Sequence, residues 1–372
     1  MEVPSRLVAA RNALFMLPTP LRAALQPVVD VPLSSDDLDG SWRTLETDLL
    51  RAHTAEFVQG MRRRFLEDDP EAIASFAAVT SVLAIADAVR RPSQSIAADA
   101  QSPRARDGGV LPSGLALVRP AGHHSSPDQP APLCAINSVM VAALREAHTT
   151  GQPVGVLDID VHFATGSQKI AMRWNEKLKG PTDGRVIVAD VYAAMGPPAR
   201  LVERVQAEYA DLQARAFSAA ALKAEMNAEF ASARPHEREF VDMVCDSHLS
   251  FPHSREELDD AAVLAASTRA LEHLIGQGVG TIFVSLGLDA AEGDREGAQV
   301  SPGGFKSVAA LLRRRSGVRL VFVLEGGYDV GELDDGAVLS GAEEAGPLEA
   351  DRFMGTGNFG KCIHAVASAL VT

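Results

Sequence analysis

Apolar and polar positions along the chain follow two periods. A three-to-four-residue spacing predicts helices over 3–16, where the pattern stops at Pro18, over 41–65, with Leu45, Leu49, Leu50, Phe57 and Val58 on one face, and over 72–89. Residues 92–112 are rich in Ser, Ala, Gly, Asp and Arg without periodicity, which predicts a surface loop. Beyond it, short apolar runs at 115–118, 154–160, 186–191, 279–286 and 318–324 read as strands. Amphipathic stretches at 135–147, 255–275 and 304–314 read as helices. Short apolar strands separated by helices imply parallel pairing with both sheet faces covered. The expected fold class is therefore α/β, a three-layer α/β/α arrangement around a central, mostly parallel sheet. Residues 199–254 interrupt the rhythm with an Ala- and Glu-rich helical pattern, a charged segment at 234–239 and no clear strand. They read as a helical excursion within a single domain spanning 1–372.

Composition narrows the function classes. Of the 372 residues, 46% are hydrophobic and 23% charged, an ordinary globular balance. No apolar run looks long enough to cross a bilayer, so no membrane partner is expected. A net charge of −14 argues against a nucleic-acid partner, whose phosphates call for clustered Lys and Arg. Cys134, Cys245 and Cys362 are odd in number and widely spaced, which suits a reducing compartment and a cytoplasmic location. The early Arg6, Arg11 and Arg22 read as part of a starting helix rather than a transit peptide. Oligomeric state is not legible.

Candidate chemistry gathers at the strand ends. In the run from Val156 to His162, period-two alternation puts Asp158, Asp160 and His162 on one side. Two carboxylates and an imidazole suit Zn²⁺ or another first-row divalent ion with one position left open; solvated carboxylates at a strand end are the alternative. His123-His124 follows a strand in a Pro/Gly loop and can supply a general base, or can be surface histidines. Asp289 ends another apolar run and can complete a site with Asp160 and His162, or cap a following helix. Gly326 and Gly327 let the backbone turn tightly beside a ligand, and the Tyr328 hydroxyl can hold an oxyanion or simply be buried.

Taken together, the stretches Arg119 to His124, Leu157 to His162, Val284 to Asp294 with Ser301-Pro302, and Leu324 to Tyr328 resemble the zinc-dependent histone deacetylase and acetylpolyamine amidohydrolase superfamily, which has the arginase-deacetylase fold. Weaker echoes lie at Glu2 to Leu7 and Leu50 to His53, so the resemblance covers most of the chain. It implies Asp160, His162 and Asp289 as ligands of one Zn²⁺. It also implies His124 as general base for the attacking water and His123 as the neighbour that protonates the leaving amine. Asp158 pairs with His123 and commonly helps hold a structural K⁺ or Na⁺, while Tyr328 binds the acetyl carbonyl. Gly122, Leu133, Gly326 and Gly327 fall at substrate-contacting positions. The implied substrate is an N-acylated amine: an acyl-lysine peptide, a polyamine or a small molecule.

The chain also departs from that family's pattern. Phe163, Ala164 and Thr165 stand where His, Gly and Asp or Asn are usual, so Thr165 offers His124 no carboxylate. Pro132-Leu133-Cys134 replaces Gly-Phe-Cys at the tunnel wall, Asp190 and Tyr192 replace Ser and His, and the 199–254 excursion replaces a short glycine-rich link. These departures keep two alternatives open. One is a catalytically impaired zinc-binding pseudoenzyme acting as a binding module. The other is an arginase-like ureohydrolase with two Mn²⁺ ions, which the single Asp289 and the missing acid after His162 disfavour.

Overall fold

The computed structural model describes residues 5–23, 25, 38–91, 111–178, 184–215, 219–246, 248–315, 317–332 and 354–372. Residues 1–4 and 92–110, the latter most of the loop predicted over 92–112, lie outside the described residues. Six strands, β1 (Ser113–Ala116), β2 (Val154–Asp158), β3 (Val186–Tyr192), β4 (Leu249–Pro252), β5 (Thr281–Leu286) and β6 (Arg319–Leu324), form one sheet in the order β1-β6-β5-β2-β3-β4. Every pairing is parallel. The chain runs outward from β2 through β3 to β4, then returns to β5 on the other side of β2. Strand order thus reverses between β2 and β5, and the crevice beyond the carboxyl ends of such a pair is where open α/β sheets bind ligands.

The four inner strands, β6, β5, β2 and β3, bury both faces. Ile282, Val284 and Leu286 of β5 and Leu320, Phe322 and Leu324 of β6 share one core with α1 (Ser5–Phe15), α11 (Asp260–Gly276), α12 (Pro302–Arg314) and α13 (Asn358–Val371). The intervening Phe283, Val321 and Val323 face a second core built with α3 (Leu38–Ala52), α4 (Ala55–Leu66), α5 (Pro70–Arg90), α6 (Ser138–Thr150) and α7 (Thr165–Asn175), while the short α2 (Thr19–Arg22) buries none of its residues. This two-sided burial is why the strands read as unbroken apolar runs.

Several expectations need correction. The helix expected over 41–65 is two: Thr54 ends one turn of chain and caps α4, its hydroxyl accepting from Phe57 N at 3.3 Å. Leu50, placed on the apolar face by spacing, is 41% exposed. Helix α5 contradicts the expectation that no apolar run reaches membrane-spanning length, because its 21 residues qualify by length and composition. Its Phe76, Val79, Val82 and Leu83 are buried in the second core, and it packs on α6, β1 and β6. The 199–254 stretch does contain a strand, β4, which forms the sheet edge beside β3. Before it come α8 (Ala199–Ala214), α9 (Ala219–Glu229) and α10 (Pro235–Cys245). Their apolar faces, with Val202, Val205, Met226 and Phe240, close over Phe163 and Tyr192. Phe163 meets Tyr192 edge-on with ring centroids 4.9 Å apart. Two of the unusual residues and the long insertion are therefore one packing unit.

Candidate active site

Strand β2 ends at Asp158, two residues before the sequence pattern suggests. Asp158 Oδ1 accepts from Asp160 N at 3.0 Å, and Asp160 Oδ1 accepts from His162 N at 3.0 Å. Carboxylates that bond the backbone two residues on divert it from the ladder into turns. It is these turns, rather than strand alternation, that bring the side chains to one place. Asp289, beyond β5, completes the group. His162 Nδ1 lies 3.0 Å from Asp160 Oδ1 and 3.3 Å from Asp289 Oδ2. The ligand atoms of all three lie within 4.8 Å of one another, the one such group of three or more His, Cys, Asp or Glu among the described residues. No helix starts at Asp289; its Oδ1 instead accepts from Val161 N at 3.2 Å, tying β5 to β2.

The donor chemistry fits a first-row divalent ion: one nitrogen and two carboxylates, two of the three residues fully buried. Without a cation, two buried carboxylates repel each other. Burial and the Asp160 charge push Asp289 up to about 6. For His162 burial opposes charge, yet Asp160 and Asp289 raise it to about 10. The backbone after β6 approaches closely, Gly326 N donating to Asp160 Oδ2 at 3.0 Å. A Cβ at Gly326 would run into the Asp289 carboxylate, and Gly327 has φ +115, so neither position accommodates a side chain without strain.

The histidine pair is not on the surface. His123 is 2% exposed and its Nδ1 lies 3.1 Å from Asp158 Oδ2, while Nε2 lies 3.6 Å from Asp160 Oδ1. Burial opposes its charge, but Asp160 and Asp158 outweigh burial and hold the ring well above its usual range. His124, with its ring centroid 4.0 Å from that of His123, goes the other way. Burial and then the neighbouring His123 push it down to about 3. Adjacent imidazoles are thus split into a proton holder and a neutral base.

A pocket of ≈ 370 Å³ opens over this group, with His123, His124, Asp160, His162, Asp289 and Tyr328 in its lining. Leu133 and Gly326 also line it, whereas Asp158, Gly122 and Gly327 lie behind that lining. Asp158 is fully buried beneath His123, and Gly122 directs its N–H to Glu325 Oε2 at 2.6 Å.

Three supports were not assigned a role from sequence. Glu325 is fully buried, and its Oε2 also accepts from His123 N at 3.2 Å. Burial pushes it up to about 8. The guanidinium of Arg6 donates to the Glu325 carbonyl, linking α1 to the site floor. Asp294 Oδ2 accepts from Tyr328 N at 2.5 Å and Asp329 N at 2.9 Å, fixing the tyrosine backbone. An acid directly after an apolar strand was the available signal for Glu325. The monovalent cation expected beside Asp158 is not supported. Across the register from Asp158, Asp190 instead accepts from Gln168 Nε2 at 3.0 Å, and burial raises its carboxyl to about 7.

Comparison with known proteins agrees with this arrangement. The histone deacetylase domain model matches residues 41–340. Histone deacetylase 5 of Arabidopsis thaliana is 28% identical over 276 residues, covering 71% of this chain and 36% of that protein. Histone deacetylase HDA1 of Candida albicans is 24% identical over 235 residues, 62% of this chain and 24% of its own length. This chain thus spans about a third or less of these relatives. The crystal structure of the HDA15 HD domain superposes with a TM-score of 0.60 at 18% identity, covering 100% of this chain and 82% of that one, and shares the fold. With its site geometry at the switch point of a parallel sheet and the domain match over most of its length, the chain belongs to the histone deacetylase family.

Proposed function

We propose that this protein is a zinc-dependent amidohydrolase that removes an acetyl or related acyl group from an N-acylated amine. The observation that carries the reading is the pair of adjacent histidines, His123 seated on Asp158 at 3.1 Å and His124 beside it, facing a carboxylate–imidazole–carboxylate group inside one pocket. Asp160, His162 and Asp289 would hold the metal. When bound, zinc supplies Lewis acidity, polarising the amide carbonyl and acidifying water.

The remaining work belongs to the chain. Neutral His124 accepts the proton of the attacking water as its oxygen bonds to the carbonyl carbon. The phenol of Tyr328, in the same pocket, donates to the developing oxyanion, a task worth roughly 3 to 4 kcal/mol for one well-placed donor. His123, whose Nδ1 is held by Asp158 at 3.1 Å, gives a proton to the amine as the C–N bond breaks. Products are a carboxylic acid and a free amine.

The test is zinc analysis together with turnover of acyl-lysine peptides, acetylpolyamines and small N-acyl amides. About one zinc per chain is expected, with amide hydrolysis abolished by chelation and by His124→Ala or Tyr328→Phe. Unchanged turnover in both variants overturns the assignment. One observation favours a second reading, a metal-binding module without turnover. Among the described residues no hydrogen bond orients the His124 ring, and Thr165 in the lining has no carboxylate to offer it. Metal uptake with no hydrolysis of any acyl amine would select that reading.

A further inference from the structure

The pocket mouth carries a cation that the proposed hydrolysis does not use. Arg295 lies in the pocket lining, and its guanidinium sits 5.0 Å from the centroid of the Tyr328 ring. Its backbone position is not loose. The preceding Asp294 clamps the amides of Tyr328 and Asp329, so the loop carrying Arg295 is tied to the loop carrying Tyr328. One acid of the rim, Glu296, also lines the pocket, but two guanidiniums share it: its Oε2 pairs with Arg255 at 2.9 Å and lies 3.9 Å from His162 Nε2, while Arg295 Nε is 4.0 Å from its Oε1. Among the described residues the Arg295 guanidinium makes no hydrogen bond, and its side chain is 63% exposed. The wall formed by Ala131, Pro132 and Leu133 is apolar, and Met195 adds a 77%-exposed apolar side chain.

A guanidinium stacked on an aromatic face keeps its planar fork of N–H donors available, and that fork matches a carboxylate. We propose that Arg295 is a specificity-determining residue that binds a carboxylate of the substrate, so that the preferred N-acylated amine is anionic close to its scissile amide. This rests on the amidohydrolase reading for the reaction, but the binding preference can be read without turnover. The carboxylate has two possible sources. It can end the acyl chain, as in a succinyl group, or it can belong to the amine, as in a short ω-acetamido acid. Either would meet the cation beside Tyr328 while the apolar wall takes the methylenes.

The test uses the full chain loaded with zinc. One arm compares a succinyl-lysine peptide with the same peptide carrying acetyl-lysine; the other compares 5-acetamidopentanoate with its carboxamide. In each arm the readouts are the ratio of kcat/KM and the ratio of equilibrium affinities. The expected result is a ratio of at least tenfold in favour of the acid in one arm, which names the source. Arg295→Gln should reduce that ratio to near one, Arg295→Lys should keep part of it, and Arg295→Glu should invert it. A wild-type ratio at or below one in both arms, in turnover or in binding, overturns the proposal. So does a preference that Arg295→Gln leaves intact. Turnover without preference would leave the amidohydrolase reading standing and this one failed. Preference in binding without turnover would do the reverse.

Discussion

At the scale of single residues, the site depends on groups that touch no substrate. Glu325 bridges the amides of Gly122 and His123 from a fully buried position, so it places the histidine pair over the carboxylates. Removing an acceptor leaves two buried N–H groups unpaired, each costing about 1 to 3 kcal/mol. Glu325→Ala should therefore lower unfolding free energy by roughly 3 kcal/mol, and Glu325→Gln, which keeps an acceptor oxygen, by clearly less. Urea denaturation midpoints check this; equal losses in the two variants would show that the bridge does not hold the loop. The Asp160, His162, Asp289 set was legible in the sequence because each residue closes an apolar run. Glu325 was not assigned a role, because an acid after a strand reads the same whether it faces solvent or two backbone amides.

At the scale of elements, the insertion is tied to the run that carries Asp160 and His162. Phe163 follows His162 directly, its N–H donates to Ala194 O at 3.0 Å, and its ring packs on Tyr192 and, at 6.4 Å between centroids, on Phe240 of α10. Phe240 is 2% exposed, so Phe240→Ala should cost about 3 to 5 kcal/mol of stability. Because the same cluster supports the residue beside His162, zinc affinity should weaken in that variant; calorimetric zinc titration reads it. Unaltered affinity in a folded Phe240→Ala protein would mean that the insertion is only a stabilising appendage. Periodicity found the helical character of the insertion but neither its division into three helices nor β4. Its four residues, Leu249–Pro252, are too few to show a period and end in proline, which only an edge position of a sheet accepts readily.

At the scale of the whole molecule, buried histidines couple folding to acidity. His53 holds α3 to the loop before α6: its Nδ1 lies 2.9 Å from Ser126 O and its Nε2 accepts from Asn137 N at 3.3 Å. Burial lowers it to about 4, and burial lowers His248, behind β3, to about 3. Both are neutral in the fold. As pH falls below about 6.5 the unfolded chain takes up protons that the fold refuses, so this contribution is whole above that pH and is lost toward pH 4 and 3. The stability of the wild-type protein should therefore drop more steeply from pH 6.5 to 4 than that of a His53→Gln/His248→Gln double variant, as followed by thermal unfolding. Parallel slopes would contradict it.

The amino-acid order alone determined the layer architecture, because strands buried on both faces must be apolar throughout and the helices between them must carry one apolar stripe. It also determined which residue types could meet at the strand ends. Only the tertiary structure decided that β2 and β5 flank the point where strand order reverses, which brings Asp289 to Asp160 and His162. It likewise decided that His123 is buried against Asp158, and that an arginine beside Tyr328 lines the pocket. These outcomes depend on burial and on distances between residues far apart along the chain, which local periodicity does not encode.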